Sequence, residues 1–356
     1  GTKYETKAFT LPLYISTLLY FISYVLIILS FYFLRKIIDL FKKKNIAGEP
    51  YFEKLSEIAP KEYMTHIFMR KLERRNLTVK NAFSFREIMV ESSSMKQFGY
   101  SDYVWKLDKK DVAYRFADKI GLRRPKNDLR TYKFEEIEPQ DGPIVIKPTK
   151  SFSSTGVYLV FNKNTILSAY KGIYLKGWEE LREEAEELIA VGAQGKNPLR
   201  RNEWMMEELI LNADDVTKPA NDLKFFCFYG EVLFVFETNR SVYKQSCHWD
   251  PNMNLIKTGR YDDQQTFEGS GFTKDDLEIA KYVSLQIPSP FVRLDMLKGK
   301  DGLVFGEITP RTGNFERFNE KYDRLMGEAY RRAEARILRD LLNGKRFEAF
   351  TSLFKV

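Results

Sequence analysis

Residues 291–313, FVRLDMLKGKDGLVFGEITPRTG, read as two β-strands joined by a tight, glycine-containing turn. Alternate side chains of a strand point to the same face, so Arg293 and Asp295 share one face. By the same rule, Glu307 and Thr309 share a face of the partner strand. If the strands pair, one surface carries a guanidinium, two carboxylates and a hydroxyl, which suits Mg²⁺ bound to a polyphosphate. An exposed hairpin face with an ordinary cross-strand ion pair is the alternative on this segment alone.

Length and composition exclude several classes of protein. A chain of 356 residues can form one large domain or two to three small ones. Its two cysteines, Cys227 and Cys247, lack metal-site spacing, which predicts reduced thiols. The two histidines argue against a histidine-rich zinc site and a histidine-based triad. The net charge of +8 favours anionic partners. Because no nucleic-acid-binding motif is present, a nucleotide, lipid headgroups or acidic glycans are expected rather than nucleic acid.

An apolar segment, residues 11–34, contains no charged side chain and is long enough to cross a hydrocarbon core of about 30 Å. Basic residues 35, 36 and 42–44 follow it, and the positive-inside rule then places the rest of the chain in the cytoplasm. The sequence therefore predicts a single-pass protein of the cell membrane with its C-terminal domain in the cytoplasm. A cleaved signal peptide fits less well, because the segment is too long and lacks a small-residue cleavage site. A buried hairpin or a dimer helix is the remaining alternative.

The predicted domain organisation follows from this segment and from the periodicity of the rest of the chain. The basic segment after the membrane helix either lies on anionic lipid or is a solvated linker. The predicted parts are an N-terminal tail (1–10), a transmembrane helix (11–34), a basic juxtamembrane helix or linker (35–60), a helical N-terminal region (61–105), a main domain (106–330) and a C-terminal helix and tail (331–356). The family resemblance given below implies that the main domain is catalytic.

A second informative segment is 141–162, DGPIVIKPTKSFSSTGVYLVFN, in which a strand ends at Lys147 and a return strand follows a small polar loop. Such a loop can close backbone N–H and hydroxyl groups over phosphates. It is neither a P-loop nor a dinucleotide-binding fingerprint, because GK[ST] and GxGxxG are both absent. A plain surface loop is the alternative. The candidate ligands in the loop are Ser151, Ser153, Ser154, Thr155 and Gly156.

Three lysines elsewhere also need an explanation. The segment 103–122 has helical periodicity with Asp108 as a plausible N-cap, so Lys109 and Lys110 fall in the first turn of the predicted helix. A cation there opposes the helix dipole, which an anion bound nearby would offset. A solvated position explains them equally well. Lys224 lies on a nearly all-apolar strand, where a buried charge needs a partner, so a site lysine is favoured. An edge lysine is the alternative.

The order of these features along the chain resembles the ATP-grasp superfamily and, more narrowly, the teichuronopeptide-biosynthesis (TupA-like) ATP-grasp proteins of surface-polysaccharide clusters. The resemblance rests on DLKFFCFYGEV (222–232), FVRLDM (291–296) and FGEITPRTGNFERFN (305–319). It covers residues 106–327 and not the apolar N-terminal segment. It implies an α+β fold in which two α+β subdomains grip ATP between antiparallel sheets, here preceded by a single N-terminal transmembrane helix.

The resemblance also implies how ATP is bound. Lys109 or Lys110 resembles the first ATP-grasp lysine, which meets the α-phosphate, and Lys147 resembles the second, which bridges the α- and β-phosphates. Residues 151–156 resemble the loop that folds over the phosphates. The backbone of Glu207, Glu208 and Leu209 resembles the hinge that reads adenine.

The catalytic and metal-binding positions follow in the same way. Lys224 resembles a basic group near the γ-phosphate or the substrate, and Arg293 resembles a phosphate-facing arginine. Asp295 and Glu307 resemble the Mg²⁺ ligands. Many members place an asparagine two residues after the glutamate, and here that position is Thr309, which leaves the coordination of a second metal open. Arg311 follows where a substrate carboxylate or phosphate could be clamped.

The function implied is an ATP- and Mg²⁺-dependent carboxylate–amine ligase that forms an amide through an acyl phosphate. The expected substrates are a uronic-acid glycan or its lipid-linked precursor, as the carboxylate, and an amino acid, as the amine. Two alternatives stay open on the sequence: a kinase of the same fold that phosphorylates a sugar hydroxyl, and a catalytically silent nucleotide-binding subunit of a polysaccharide assembly complex. The oligomeric state is also open.

Overall fold

The computed structural model describes most of the chain after residue 63 and separate stretches before it. The described residues are 18–30, 32–33, 36, 53–54, 56–57, 64–79, 82–100, 102–128, 130–150, 154–193, 199, 201–241, 245–267 and 269–354. The chain divides into two compact units, residues 1–82 and residues 83–356.

The described part of the first unit is largely helical, at 18–30, 32–33, 36, 53–54, 56–57 and 66–73. Residues 18–30 are helical and mostly exposed. Helix α1 (His66–Glu73) begins after Thr65, whose side chain accepts a hydrogen bond from the backbone of Phe68. Leu72 and Val79 form a small buried apolar cluster beside it.

The predicted transmembrane helix, 11–34, lies partly outside the described residues, as do the predicted tail (1–10) and most of the predicted linker (35–60). Within the stretches of chain that the structure describes, no helix combines the length and the apolar character that a membrane crossing needs. The transmembrane helix stays a prediction from sequence.

The second unit contains two antiparallel sheets and the helices that cover them, which confirms the predicted α+β class with antiparallel sheets. The helices are α2 (Phe85–Gln97), α3 (Lys110–Lys119), α4 (Trp178–Ala193), α5 (Lys274–Leu285), α6 (Glu320–Leu342) and α7 (Glu348–Thr351), with short 3₁₀ helices at Tyr103–Asp108, Phe134–Glu136 and Phe315–Arg317.

The smaller sheet has five strands in the described part of the chain, in the order β4-β3-β2-β1-β5. One face packs on α4 through an apolar cluster that includes Ile146, Tyr158 and Trp204. The opposite face carries Val145 and Lys147, because alternate residues of β1 point to opposite sides. The strands are β1 (Ile144–Pro148), β2 (Tyr158–Asn162), β3 (Thr165–Ser168), β4 (Ile173–Leu175) and β5 (Trp204–Glu208).

The larger sheet has six described strands in the order β11-β10-β6-β7-β8-β9. Its core is rich in phenylalanine; Phe226 and Phe234 stack at 4.2 Å between ring centroids. Each fully buried phenylalanine contributes on the order of 1.5–3 kcal/mol. The strands are β6 (Asp222–Phe228), β7 (Glu231–Thr238), β8 (Ser246–Trp249), β9 (Leu255–Ile256), β10 (Val292–Gly299) and β11 (Gly302–Thr309).

The edge strands β5 and β11 are joined by the segment around Arg123. The carbonyl of Arg123 accepts a hydrogen bond of 2.7 Å from the backbone N–H of Phe305 on β11. Its guanidinium donates to Glu208 Oε1 on β5 at 2.9 Å. A buried apolar cluster that includes Ile210 and Val304 fills the space beside this connection. This connection holds the edge strands β5 and β11 of the two sheets close to each other.

Candidate functional site

Three charged residues form one row across neighbouring strands of the larger sheet. Asp295 on β10 is directly opposite Glu307 on β11 and opposite Lys224 on β6. Arg293, two residues before Asp295, is opposite Thr309. The predicted shared face is present, but the strand pairing shifts by one residue at a β-bulge between Asp295 and Met296. Regular pairing continued from the turn at Gly299 and Gly302 would place Gly306 opposite Asp295, so the bulge brings Glu307 there instead. Lys224 joins this face from a third strand.

Asp295 is the centre of this row. Its carboxylate accepts from Lys224 Nζ at 2.7 Å and from Arg293 Nε and Nη2 at 2.6 and 2.8 Å. Burial opposes ionisation of the carboxyl, but Arg293 and Lys224 outweigh it and lower the pKa of Asp295 to about 2. Asp295 is thus a buried, ionised group that fixes both cations in place.

Glu307 is more open, with 54% of its side chain exposed. Its Oε1 accepts from the Thr309 hydroxyl at 3.2 Å and lies 3.5 Å from Arg293 Nη2. Partial desolvation and repulsion by Asp295 raise the pKa of Glu307. A cation placed between the two carboxylates would remove this repulsion.

The residues of the row fit the Mg²⁺ ion that the sequence predicts. Mg²⁺ is commonly held by one or two carboxylates together with substrate phosphates, and Asp295 and Glu307 supply two carboxylates with the Thr309 hydroxyl beside them. No group of three or more histidine, cysteine, aspartate or glutamate side chains that could hold a metal occurs among the described residues.

A second charged cluster lies on the smaller sheet around Glu207 of β5. Lys147 Nζ pairs with Glu207 Oε1, and Lys110 Nζ lies 3.6 Å from Oε2. Tyr114 OH donates to the same Oε2 at 2.9 Å. Burial and the Lys110 ammonium lower the pKa of Lys147 to about 7, although Glu207 opposes the shift. Burial disfavours charge on Glu207, but Lys147 and Lys110 lower its pKa to about 2.

This cluster has two lysines for one carboxylate, which suits an added anion. Lys110 and Glu307 also interact electrostatically, so the cluster lies near the carboxylate row of the other sheet. A triphosphate placed between them would meet ammonium groups on one side and, through a cation, carboxylates on the other.

The structure distinguishes the two candidate lysines before α3. The predicted helix after Asp108 is present, but it begins one residue later than an Asp108 N-cap implies, because a 3₁₀ helix ends at Asp108 and Lys109 is the extended N-cap of α3. The part before Asp108 is 3₁₀ and not α-helical. Lys110 is the first helical residue and lies near Glu207, whereas Lys109 precedes the helix and is exposed.

The polar loop between β1 and β2 is described only in part. Ser151 and Ser153 lie outside the described residues. Ser154 and Gly156 have positive φ values of 61° and 71°, and Thr155 is buried. A Cβ at Gly156 would lie 2.9 Å from Pro148 Cγ, so glycine permits the loop to fold back on the end of β1.

The predicted adenine-reading hinge has its described N–H donors occupied. The N–H groups of Glu208 and Leu209 donate to Lys126 O and Pro143 O at 2.8 and 3.2 Å. Leu209 is buried in the apolar cluster that includes Val145, on the face of the smaller sheet that also carries Lys147. Recognition of adenine by this segment stays a prediction, and it requires those bonds to change or carbonyl groups to act instead.

Arg311 lies beyond β11 in a separate pocket of about 300 Å³. Its guanidinium stacks over Trp105 at 4.4 Å and donates to Ser93 Oγ at 3.2 Å. Thr312 lines the same pocket and accepts a hydrogen bond from Arg293 Nη1 at 3.2 Å. The pocket therefore adjoins the Asp295 row through Arg293.

Three residues near these clusters were missed at the sequence level. Tyr114 lies one helical turn after Lys110, and this i, i+4 spacing could have identified it. Thr312 follows Arg311 directly but carries no pattern of its own. Arg260, which donates to Thr312 Oγ1 at 3.1 Å, comes from an irregular segment that gives no sequence signal.

Comparisons with known proteins agree with this architecture. The TupA-like ATP-grasp family matches residues 92–331, which confirms the resemblance found in the sequence. No curated protein matches the chain.

Distant likenesses occur among solved structures of ATP-grasp ligases. The D-alanine–D-alanine ligase of Bacillus anthracis is 16% identical, with a TM-score of 0.37 over 66% of this chain and 69% of that one. The Helicobacter pylori enzyme is 12% identical, with a TM-score of 0.35 over 64% and 58%. A Chryseobacterium gregarium RiPP-associated ATP-grasp ligase, in complex with ADP and a leader and core peptide, is 15% identical, with a TM-score of 0.34 over 69% and 63%. The chain thus spans less than two thirds of the last two proteins.

Proposed function

The chain belongs to the TupA-like ATP-grasp family, and from that premise we propose that it is an ATP- and Mg²⁺-dependent carboxylate–amine ligase. The observation that carries the proposal is that two charged clusters, one on each sheet, lie near each other. Lys147 and Lys110 surround Glu207 on one sheet, and Lys224, Arg293, Asp295 and Glu307 form a row on the other.

In this account each cluster has its own task. Lys110 and Lys147 neutralise the α- and β-phosphates of ATP. Lys224 and Arg293, both fixed by Asp295, offset the negative charge that develops on the γ-phosphoryl group during transfer. Asp295 and Glu307 would hold Mg²⁺, which supplies further charge neutralisation at the phosphates.

The reaction then follows from positioning. A substrate carboxylate oxygen attacks the γ-phosphorus, the bond to the β-phosphate oxygen breaks, and ADP and an acyl phosphate result. An amine attacks the acyl carbon, a C–N bond forms, and inorganic phosphate leaves with the loss of one proton from the amine. Arg311 and the pocket around it, next to Arg293, are proposed to bind an anionic part of the substrates.

A carboxylate acceptor suits this site better than a sugar hydroxyl. A hydroxyl must lose a proton during phosphoryl transfer and needs a general base, whereas a carboxylate is already ionised. Asp295 is held ionised by two cations rather than poised to accept a proton, and Glu307, whose pKa is raised, would be engaged by Mg²⁺ in this account and so is not free to act as that base.

The membrane location and the glycan substrate are proposed on the sequence and the family name. The charge-free segment 11–34 would anchor the enzyme, and a uronic-acid glycan or its lipid-linked precursor would supply the carboxylate. Deletion of residues 1–45 should release the protein from the membrane fraction without loss of ATP binding. Retention of the shortened protein in the membrane fraction would refute the anchor.

The direct test of the ligase is ADP release with Mg²⁺–ATP against a panel of uronic-acid glycans and amino acids, followed by product mass. The proposal predicts a mass increase of one amino acid minus water, with one ADP released for each product. A product that gains only a phosphoryl group would show a kinase instead.

A further inference from the structure

A buried arginine without an acidic partner lies beside the catalytic row. Arg260 follows β9 and is 5% exposed. It packs over the rings of Phe226 and Tyr261, at 6.0 and 4.8 Å from the guanidinium carbon to each centroid. Phe226 is the strand neighbour of Arg293, so the guanidinium lies on the face of the sheet that carries the site.

The polar contacts of Arg260 are incomplete. Its Nη1 donates to Thr312 Oγ1, but its Nε is buried without a hydrogen-bond partner in the described part of the chain. No carboxylate among the described residues lies within ion-pair distance of it. The same Thr312 oxygen accepts from Arg293, so one neutral hydroxyl separates two guanidinium groups.

This arrangement is costly for the fold taken alone. A buried charge without a counter-ion loses its hydration, and a second cation nearby adds repulsion. Burial is the largest cause of the lowered pKa of Arg260 and Arg293 adds to it, whereas Tyr261 and Asp295 act in the opposite direction without cancelling the shift. An apolar side chain of similar size would pack against the same rings without this cost. An anion bound beside Arg260 would offset it.

The segment around Arg260 is firmly held. Tyr261 stacks on Phe236 at 5.4 Å, and its hydroxyl accepts from Asn314 Nδ2 at 2.6 Å. Tyr261 and Asn314 both have positive φ values, 62° and 54°, which non-glycine residues adopt only when their surroundings fix them. Asp262 accepts from the backbone N–H of Gly259 at 2.8 Å and closes the turn. The guanidinium is thus placed before any ligand binds.

The structure assigns to Arg260 the binding of a substrate oxyanion together with Arg293. The oxyanion is either the γ-phosphoryl group in transfer or the substrate carboxylate that receives it, since both present oxygens that a guanidinium binds. This inference rests on the proposed function of the site. It adds a cation to the site from a segment that was not among the sequence candidates.

The test uses the full chain and the variant Arg260→Met, which removes the charge and keeps an apolar stem. Arg332→Met is the matched control, because Arg332 is exposed and pairs with Glu231 at 2.7 Å away from the site. Two quantities are measured for each protein: the ratio of affinities for Mg²⁺–AMPPNP and Mg²⁺–ADP, and the rise in melting temperature in sodium phosphate over sodium chloride at equal ionic strength. The second is measured with and without Mg²⁺–ADP.

A fall of about tenfold or more in the AMPPNP to ADP ratio, in Arg260→Met only, identifies the γ-phosphoryl group as the ligand. If the AMPPNP to ADP affinity ratio is unchanged but sodium phosphate no longer raises the melting temperature, Arg260 binds an oxyanion on the substrate side. If both quantities match those of Arg332→Met, the assignment is overturned. Should Arg260→Met not fold, Arg260→Lys keeps the charge but not the fork of donors, and the same two comparisons are made with Arg332→Lys as its control.

The proposed function and the role of Arg260 can be refuted separately. Wild-type protein that binds neither nucleotide contradicts the proposed function, and the phosphate measurement without nucleotide still decides the role of Arg260. Wild-type protein that binds both nucleotides, with Arg260→Met unchanged in every respect, contradicts only the assignment of Arg260.

Discussion

Asp295 and Glu307 occupy directly opposed positions on β10 and β11. Of the two, only Asp295 has both carboxylate oxygens in close ion pairs. Asp295 is buried between Lys224 and Arg293, whereas Glu307 has a single long contact with Arg293 and is half exposed. The two carboxylates can therefore share a cation while contributing differently to stability. Asp295 holds Lys224 and Arg293 in place, whereas Glu307 contributes little to the stability of the fold and can serve as a metal ligand.

Glu307→Gln should abolish catalysis and leave the fold intact. Loss of one carboxylate beside the phosphates should lower turnover by about 100-fold or more, by analogy with the removal of other groups that stabilise transition-state charge. The melting temperature should change little, because the Glu307 side chain is exposed and weakly paired. ADP release and thermal unfolding check both parts, with the exposed Glu278→Gln as control. Full activity of Glu307→Gln would refute its role as a metal ligand.

Asp295→Asn should lose both activity and stability. Removal of the charge leaves Lys224 and Arg293 buried without a full counter-ion, and breaking a buried pair costs about 3–5 kcal/mol. Chemical denaturation should show this loss against wild type. A variant as stable as wild type would mean that the two cations do not depend on Asp295 for their placement.

Binding of ATP should take up a proton at Lys147. In the free protein burial and the Lys110 ammonium lower the pKa of Lys147, so the neutral form of its side chain gains population as the pH rises from 6 to 8. Bound phosphates raise that pKa again, so Mg²⁺–ATP binding should take up more protons at pH 8 than at pH 6. Calorimetry in buffers of different ionisation enthalpy measures the uptake. The uptake at pH 8 should vanish in Lys147→Met and persist in the exposed Lys176→Met; equal uptake in both would contradict the prediction.

Lys110 and Lys109 should differ sharply in nucleotide binding. Lys110→Met removes a cation 3.6 Å from Glu207 and should weaken Mg²⁺–ATP binding by about tenfold or more, which corresponds to roughly 1.4 kcal/mol. Lys109→Met is a matched control one residue away, because its side chain is exposed and should have little effect. Equal losses in the two variants would mean that general positive charge, and not the position of Lys110, matters.

Arg311→Lys should affect the acceptor substrates and not ATP. The planar guanidinium stacks on Trp105 and donates to Ser93, and an ammonium group cannot reproduce both contacts. The KM for the carboxylate or the amine should rise by about tenfold or more, with the KM for ATP unchanged. A rise confined to the KM for ATP would place Arg311 on the nucleotide side instead.

The sequence predicts part of the larger sheet's site from local rules. The two-residue period of a strand places Arg293 with Asp295, and Glu307 with Thr309, on a common face of their own strand. The turn alone does not bring the two pairs together, because regular pairing from it would put Gly306 opposite Asp295; the β-bulge between Asp295 and Met296 brings Glu307 there. The sequence indicates that Lys224 needs an acidic partner but does not identify it. The partner, Asp295, lies 71 residues further along the chain.

Other parts of the site depend on details that no local pattern determines. The choice between Lys109 and Lys110 depends on where α3 begins, and a shift of one residue turns a side chain by about 100°. The contact between Lys147 and Glu207 spans 60 residues. Arg260 reaches Thr312 from an irregular segment 52 residues away, held by side-chain contacts that have no period to detect.

The acyl phosphate is the central claim, and trapping with hydroxylamine tests it most directly. Protein, Mg²⁺–ATP and the carboxylate panel are incubated with hydroxylamine and without amine, and hydroxamate and ADP are both quantified, with Glu307→Gln as the inactive control. The account predicts one hydroxamate for each ADP, formed only with ATP, Mg²⁺ and the wild-type residue. ADP released with a hydroxylamine-resistant phosphate ester, and no hydroxamate, would contradict it.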